Sequence, residues 1–262
     1  MSSKASRHFS SGGSHQNSAP YQVLALIYDE VMAHVEYLRW ARYIRRIINR
    51  YHRKPYAILD LGCGTGNFIA ALGKLGLAAD GCDPSAAMLK LAQKKNPDRT
   101  LWLDSLPALE NSPSQYYSVM TCLYDSINYL MEPQILEDAF RRIYQLLPPG
   151  GLFIFDAVSE IFCQVYFNGF TEEEIVDGKF AYLRQSRYDT VAHHQINEFT
   201  IYTPDGIFEE HHVQAIYPFR QIRNIIKNNT EFRLLAVYED FTFYKASEDS
   251  NRAHFVLQKP KS

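Results

Sequence analysis

Apolar positions change their period along this chain, and the changes mark out its elements. From Pro20 they recur every three or four residues: Tyr21, Leu24, Ala25, Ile27, Tyr28 and Val31, then Tyr37, Trp40, Ala41, Ile44, Ile47 and Ile48. That spacing predicts two helices, the second carrying Arg39, Arg42, Arg45 and Arg46 on its polar side. Short apolar runs then alternate with helical ones. Strands are predicted over 57–61, 78–83, 100–103, 117–123 and 152–156, and helices over 67–75, 84–95 and 133–147. The run 117–123 is apolar enough for burial on both faces. Pro84 stands at a helix start, where a missing N–H costs little. Repeated β-α-β units call for an open, mostly parallel sheet with right-handed crossovers.

The alternation stops after Asp156. Residues 180–189, 194–202 and 207–217 are rich in β-branched and aromatic side chains, and Thr203-Pro204-Asp205-Gly206 marks a turn between the last two. These predict a small antiparallel sheet inserted into the main domain, with Glu172-Glu173-Glu174 read as a solvated helix start. A helix over 219–228 and strands over 232–243 and 253–258 close the chain. Residues 1–19 are rich in Ser, Gly, Asn and His, lack acids and bury little. Lys4 and Arg7 faintly suggest a transit peptide, but without an apolar helical face the segment reads as a disordered leader. The expected division is therefore leader 1–19, core 20–158 with 218–262, and an inserted lid 159–217.

With 262 residues the chain can bury one substantial core. A formal net charge of −2 argues against a nucleic-acid-coating surface. No apolar run approaches a membrane span. Cys63, Cys82, Cys122 and Cys163 lie far apart without a C-x-x-C pair, so they read as reduced, small apolar residues of a cytoplasmic protein.

The chemistry centres on Ala57-Ile58-Leu59-Asp60-Leu61-Gly62-Cys63-Gly64-Thr65-Gly66-Asn67-Phe68, a buried strand entering a glycine-rich turn and then a helix. Glycines at alternate positions leave bare backbone for a ligand, and unpaired helix N-terminal amides gather beside it. The turn therefore suits a nucleotide or nucleoside. The dinucleotide fingerprint is G-x-G-x-x-G, whereas the order here is G-x-G-x-G, preceded by Asp60. An acid at that mouth repels a phosphate but favours an ammonium.

Asp60-Leu61-Gly62-Cys63-Gly64-Thr65-Gly66 resembles the first motif of the class I S-adenosylmethionine-dependent methyltransferases. Gly81-Cys82-Asp83-Pro84-Ser85-Ala86-Ala87-Met88-Leu89 resembles the second. The resemblance extends from about residue 20 to the C-terminus. It implies an α/β fold: a mostly parallel, seven-stranded Rossmann-like sheet with helices on both faces and the inserted antiparallel sheet. It also implies that Asp83 binds the ribose, that Pro84 and Met88 wall the adenine, and that Asp104 bonds the adenine amino group with the Ser105 amide nearby. Cys122 to Leu130 resembles a segment of a small-molecule subset that includes aminosugar N-methyltransferases. That subset opens with aromatics here matched by Tyr21, Tyr28, Tyr37 and Trp40, which fold over the cofactor. The expected S-adenosyl-L-methionine site is thus Tyr21, Tyr28, Trp40, Asp60, Gly62, Cys63, Gly64, Gly66, Asp83, Pro84, Met88, Asp104, Ser105, Leu123 and Tyr124.

The implied reaction is in-line methyl transfer to the amine or hydroxyl of a small acceptor. Candidate groups near the reacting atoms are Tyr124, Asp125, Asn128 and His212, with Tyr129, His211, Tyr217 and Arg220 as further choices. Histidine suits a base near neutral pH. His193-His194 and His211-His212 are adjacent pairs whose members point to opposite faces of a strand, so no metal site is expected. The alternatives are a non-catalytic partner subunit, methylation of a protein or tRNA, and aminopropyl transfer. The oligomeric state is left open.

Overall fold

Strands that are apolar on both faces form the larger of two sheets. The computed structural model describes residues 15–52, 57–111, 117–176 and 178–261. Its strands in chain order are β1 (His15–Ser18), β2 (Ile58–Leu61), β3 (Ala79–Asp83), β4 (Leu101–Leu103), β5 (Val119–Cys122), β6 (Leu152–Val158), β7 (Phe170–Val176), β8 (Phe180–Asp189), β9 (His194–Thr203), β10 (Gly206–Ala215), β11 (Arg233–Glu239) and β12 (Arg252–Gln258). Seven of them pair in the order β11-β12-β6-β5-β2-β3-β4. β6, β5, β2, β3 and β4 are parallel, while β12 is antiparallel to both neighbours. The α/β class and the seven-stranded sheet expected from the sequence are both present.

Alternation along each strand supplies the two faces. Ile58, Val119, Ile154 and Val256 join one apolar cluster with helix α1 (Tyr37–Tyr51) and helix α2 (Asn67–Gly73). Leu59, Met120, Phe155 and Phe255 join the other, with helix α3 (Pro133–Leu146) and helix α4 (Phe219–Asn229). Phe155 and Phe255 are register partners on β6 and β12, and their rings stack at 4.8 Å with only 4° between planes. The strand order reverses at β2, with β3 on one side and β5 on the other. Ligands of open α/β sheets lie at such a switch point, outside the carboxyl ends of the strands.

The second sheet has the order β1-β10-β9-β8-β7, five strands where the sequence pattern predicts three. Glu172-Glu173-Glu174 lies in β7, not at a helix start, because the β8 backbone pairs with it, Glu172 opposite Arg184 and Glu174 opposite Tyr182. Part of the expected leader 1–19 is paired in this sheet. His15–Ser18 runs parallel to β10, and residues 1–14 lie outside the described residues. Backbone pairing, not apolar burial, holds this polar strand, so its composition gives no sign of it.

The predicted first helix is also interrupted. Leu24–Ile27 is a 3-10 turn and Tyr28–Val31 a single α-turn. The Glu210 carboxylate accepts the N–H groups of Tyr21, Val23 and Leu24 at 2.7, 2.6 and 2.9 Å. Tertiary bonds thus satisfy the donors a regular helix start leaves unpaired, and the apolar residues still face inward.

Phe155→Ala removes one ring of the stacked pair at the sheet's centre. It is expected to cost about 3–5 kcal/mol, read as a lower urea midpoint at unchanged slope.

Candidate functional site

The carboxyl ends of β2, β3, β4 and β5 open into a cavity of about 480 Å³. Its wall includes Asp60, Gly62, Cys63, Gly64, Asp83, Pro84, Met88, Asp104, Ser105, Leu123 and Tyr124. Tyr21, Tyr28 and Trp40 come in from the N-terminal segment, and Arg184, Asn197, Phe199, His212 and Gln214 from the inner face of the second sheet.

Gly64 sits at φ +55°, and a Cβ built on it would meet no atom within 4 Å. The turn therefore presents open space there, as a ligand lying on bare backbone requires. Gly66 is different and lies off the cavity wall. At φ +76°, its Cβ would fall 2.5 Å from Asn96 Nδ2 and 3.1 Å from Ala92 Cα. Its lack of a side chain lets helix α2 start against the residues packed behind it.

Asp83 ends β3 and fastens the turn: Oδ2 accepts the Gly64 N–H and Oδ1 the Ser85 N–H, both at 2.8 Å. Each oxygen keeps a lone pair for another donor. Burial pushes this carboxyl up to about 6. Asp60 accepts from Thr121 Oγ1 at 2.7 Å, and burial pushes it up to about 7, against the Thr121 bond. The Asp104 carboxylate organises its own loop, accepting the N–H groups of Ser105 at 2.9 Å, Glu110 at 3.2 Å and Asn111 at 2.8 Å. The Ser105 amide expected to face an adenine is thus engaged inside the loop.

Tyr124 and Asp125 follow β5 at φ +60° and +52°, two consecutive non-glycine residues in the left-handed region. Such conformations persist only where surroundings over-determine them. Here the fully buried Asp156 accepts the N–H groups of Tyr124 at 2.6 Å and Asp125 at 3.1 Å. Arg252 pairs with Asp156 and, at 3.0 Å, with Asp125. Its guanidinium also lies 5.4 Å from the Trp40 ring centroid and 5.3 Å from that of Tyr124. Burial would lower Arg252, but Asp156 and Asp125 hold it above its ordinary value. Asp125 further accepts from Gln214 Nε2 at 2.8 Å. Its carboxylate is therefore a structural anchor within the cavity wall.

Other candidates fall away from the cavity. Asn128 is fully buried and donates to the Ala215 carbonyl at 2.7 Å. Tyr217 donates to the Leu130 carbonyl at 2.5 Å. His211 faces outward beside Glu198, and Arg220 is exposed. His212 faces inward, the opposite side of β10, as strand alternation requires. Among the described residues no His, Cys, Asp and Glu group could hold a metal.

Inside the cavity the hydroxyls of Tyr21 and Tyr129 meet at 2.5 Å, Tyr129 reaches His212 Nδ1 at 3.1 Å, and His212 Nε2 lies 3.2 Å from Glu210. Burial raises both tyrosines well above their ordinary range. Burial also works to raise Glu210, but His212 and the three backbone N–H groups outweigh it and hold the carboxyl low. Asp29 is a second tether of the same segment, accepting from Thr65 Oγ1 at 2.7 Å and Asn67 Nδ2 at 2.9 Å. Sequence reasoning missed Glu210, Arg252, Asp156 and Arg184 as site residues. An acid ending an otherwise apolar strand, Asp156, and a Glu two residues before a His on one strand face were the available signals. Arg252 offered none.

Arg252→Met leaves the fully buried Asp156, and the partly buried Asp125 beside it, without their cation. It is expected to cost about 3–5 kcal/mol, checked by chemical denaturation, with the loss shrinking in an Arg252→Met/Asp156→Leu double variant.

A family profile described as a methyltransferase domain matches residues 58–151, which contain the glycine turn, Asp83 and Asp104. A provisionally named methyltransferase of Geobacillus sp. (strain WCH70) is 31% identical over 254 residues, 91% of this chain and 99% of that protein. The dTDP-3-amino-3,6-dideoxy-alpha-D-glucopyranose N,N-dimethyltransferase of Streptomyces fradiae is 29% identical over 119 residues, 45% of this chain and 46% of that enzyme. The crystal structure of a S-adenosylmethionine-dependent methyltransferase from Clostridium acetobutylicum matches with a TM-score of 0.75 at 22% identity, over 91% of this chain and 98% of that one. A match spanning nearly both full lengths goes beyond a shared glycine turn, and the chain belongs to the methyltransferase family.

Proposed function

We propose that this chain transfers a methyl group from S-adenosylmethionine to the amine or hydroxyl of a small acceptor held beneath the second sheet. One observation carries the reading: the cavity that begins at the glycine turn continues to Phe199, His212 and Gln214 on that sheet. Its volume, about 480 Å³, lies in the range of small-ligand sites and leaves little room beyond a cofactor and a small metabolite. The amino sugar named in the Streptomyces fradiae relative is an acceptor of that kind.

The residues present fit the cofactor. The open space at Gly64 suits its methionine part, Asp60 offers a carboxylate to its ammonium, and the free lone pairs of Asp83 suit ribose hydroxyls. Pro84, Met88 and Leu106 supply an apolar wall for the base. When bound, S-adenosylmethionine supplies an electrophilic methyl carbon on a sulfonium. The protein's task is to align the acceptor with that carbon and to exclude water. Tyr21, Tyr28 and Trp40 do so from the N-terminal side.

A protonated amine or a hydroxyl must also lose a proton. The hydrogen-bonded chain can take it in one direction. With Nε2–H donating to Glu210, the Nδ1 lone pair of His212 accepts from Tyr129. Tyr129 in turn accepts from Tyr21, whose oxygen remains free to accept from the substrate. Because burial opposes ionisation of both tyrosines, they relay a proton and the imidazole holds it.

Calorimetric titration with S-adenosylmethionine and S-adenosylhomocysteine tests the reading. Both are expected to bind at micromolar strength, and Gly64→Arg to bind neither. A folded wild-type protein that bound neither ligand would overturn it. With an acceptor in hand, His212→Gln is expected to lower kcat by about 10²–10⁴-fold while leaving S-adenosylhomocysteine affinity within about twofold.

The two buried acids set a pH dependence. Asp60 and Asp83 titrate at about 7 and about 6, and each binds its part of the ligand as a carboxylate. Affinity for S-adenosylhomocysteine is therefore highest above both values and falls as pH drops through about 7 and then about 6, by at most about tenfold per pH unit for each group. Asp60→Asn should remove the upper step, which calorimetry at a series of pH values reads directly.

A further inference from the structure

The acceptor end of the cavity holds a cation without a counter-ion. Arg184 projects from β8 and is the one Arg or Lys among the described residues of the cavity wall. Its Nε and Nη2 both donate to Asn197 Oδ1, at 3.2 and 2.9 Å. The N–H groups on Nη1 and the second on Nη2 are left over. No ion pair joins Arg184 to a carboxylate among the described residues, although Glu172 stands opposite it in the β7–β8 register. The rings of Phe167, Phe170 and Phe199 lie 5.2, 5.6 and 5.6 Å from the guanidinium carbon. They restrict the plane of this half-buried guanidinium.

We propose that Arg184 is an anion-recognition residue and that the methyl acceptor carries a phosphate or carboxylate group seated on it. A half-buried guanidinium held by a side-chain amide and aromatic faces is pre-organised for bidentate recognition of such a group. The sign of the cavity agrees. Asp60, Asp83 and Asp104 gather at the turn end, where they suit a cationic cofactor, and the Arg stands apart from them on the second sheet. An anionic group on Arg184 points the rest of the acceptor back toward Tyr129 and His212, the neighbours with which Arg184 shares the cavity wall. Asn197 is the positioning partner, since it fixes the guanidinium through the two bonds it accepts.

The inference rests on the methyl-transfer reading for the identity of the ligand, but its test reads Arg184 directly. In isotopically labelled protein, the Arg184 Nε–H resonance is assigned by its loss in Arg184→Gln. It is followed by NMR while inorganic phosphate or acetate is added, with and without S-adenosylhomocysteine. The expected result is a saturable shift of that resonance and of the Asn197 amide. The Asn197 response should weaken by at least about tenfold in Arg184→Gln and persist in Arg187→Gln, an exposed arginine on the other face of β8. The anion that binds more tightly tells phosphate from carboxylate. If neither anion moves the Arg184 resonance while S-adenosylhomocysteine binds normally, the anion site is wrong and methyl transfer stands. If S-adenosylhomocysteine fails to bind but the anions still act on Arg184, the cofactor reading fails and the anion site stands.

Discussion

The site depends on one buried ion cluster. Arg252, on the strand that runs antiparallel within the larger sheet, joins Asp156 in the second half of β6 to Asp125 beyond the end of β5. Asp156 spends its remaining hydrogen-bonding capacity on the amides of Tyr124 and Asp125. Those two amides belong to the two left-handed residues that carry the chain across the cavity mouth. A fully buried acid beside a partly buried one is costly unless a cation and N–H donors meet them, and Arg252 with the strained turn meets both needs at once. The cluster thereby fixes where β5 ends, how Tyr124 faces Trp40, and where Gln214 of the second sheet attaches through Asp125.

A second constraint closes the cavity from the N-terminal side. Glu210 accepts three amides of the 21–24 segment and bonds His212. Asp29 binds Thr65 and Asn67 of the glycine turn and pairs with Lys95. The segment is thus fastened at one end to the acceptor wall and at the other to the cofactor turn. Such a strap couples the two halves of the site, because any displacement of Tyr21 moves the hydroxyl that meets Tyr129. It also explains why the periodic apolar pattern of this region does not produce one continuous helix. Three N–H groups have a better acceptor in Glu210 than a fraying helix end provides.

Much of this was legible in the residues, and the boundary of legibility is physical. Period-two and period-3.6 patterns report burial, so the strands of the larger sheet and the helices covering it could be read from Ile58, Val119, Phe155 and their neighbours. Asp60, Gly64 and Asp83 could be read because a short-range spacing carries their chemistry. The polar strand β1, held by backbone pairing, left no apolar trace, and the run Glu172–Glu174 masked β7. At Gly66 the fold adds a packing reason for glycine that the motif does not express, with Asn96 and Ala92 close behind the turn. Asn128 sits in a motif-like segment yet bonds Ala215 in the interior. Arg252, Glu210 and Arg184 act on partners far away in sequence, and only the fold brings them together.

Backbone strain falls where these long-range partners converge. Among the described residues six non-glycine positions have positive φ, and four of them, Tyr21, Leu109, Tyr124 and Asp125, line the cavity. Each such residue costs on the order of 1–3 kcal/mol, so their concentration in one place requires compensation nearby. For Tyr124 and Asp125 it comes from Asp156 and Arg252, and for Tyr21 from Glu210. The same groups that relieve the strain are those that orient the aromatic wall and the imidazole. Orientation in this site is therefore bought with buried charge, and the apolar core beneath it supplies the stability that makes such an arrangement tolerable.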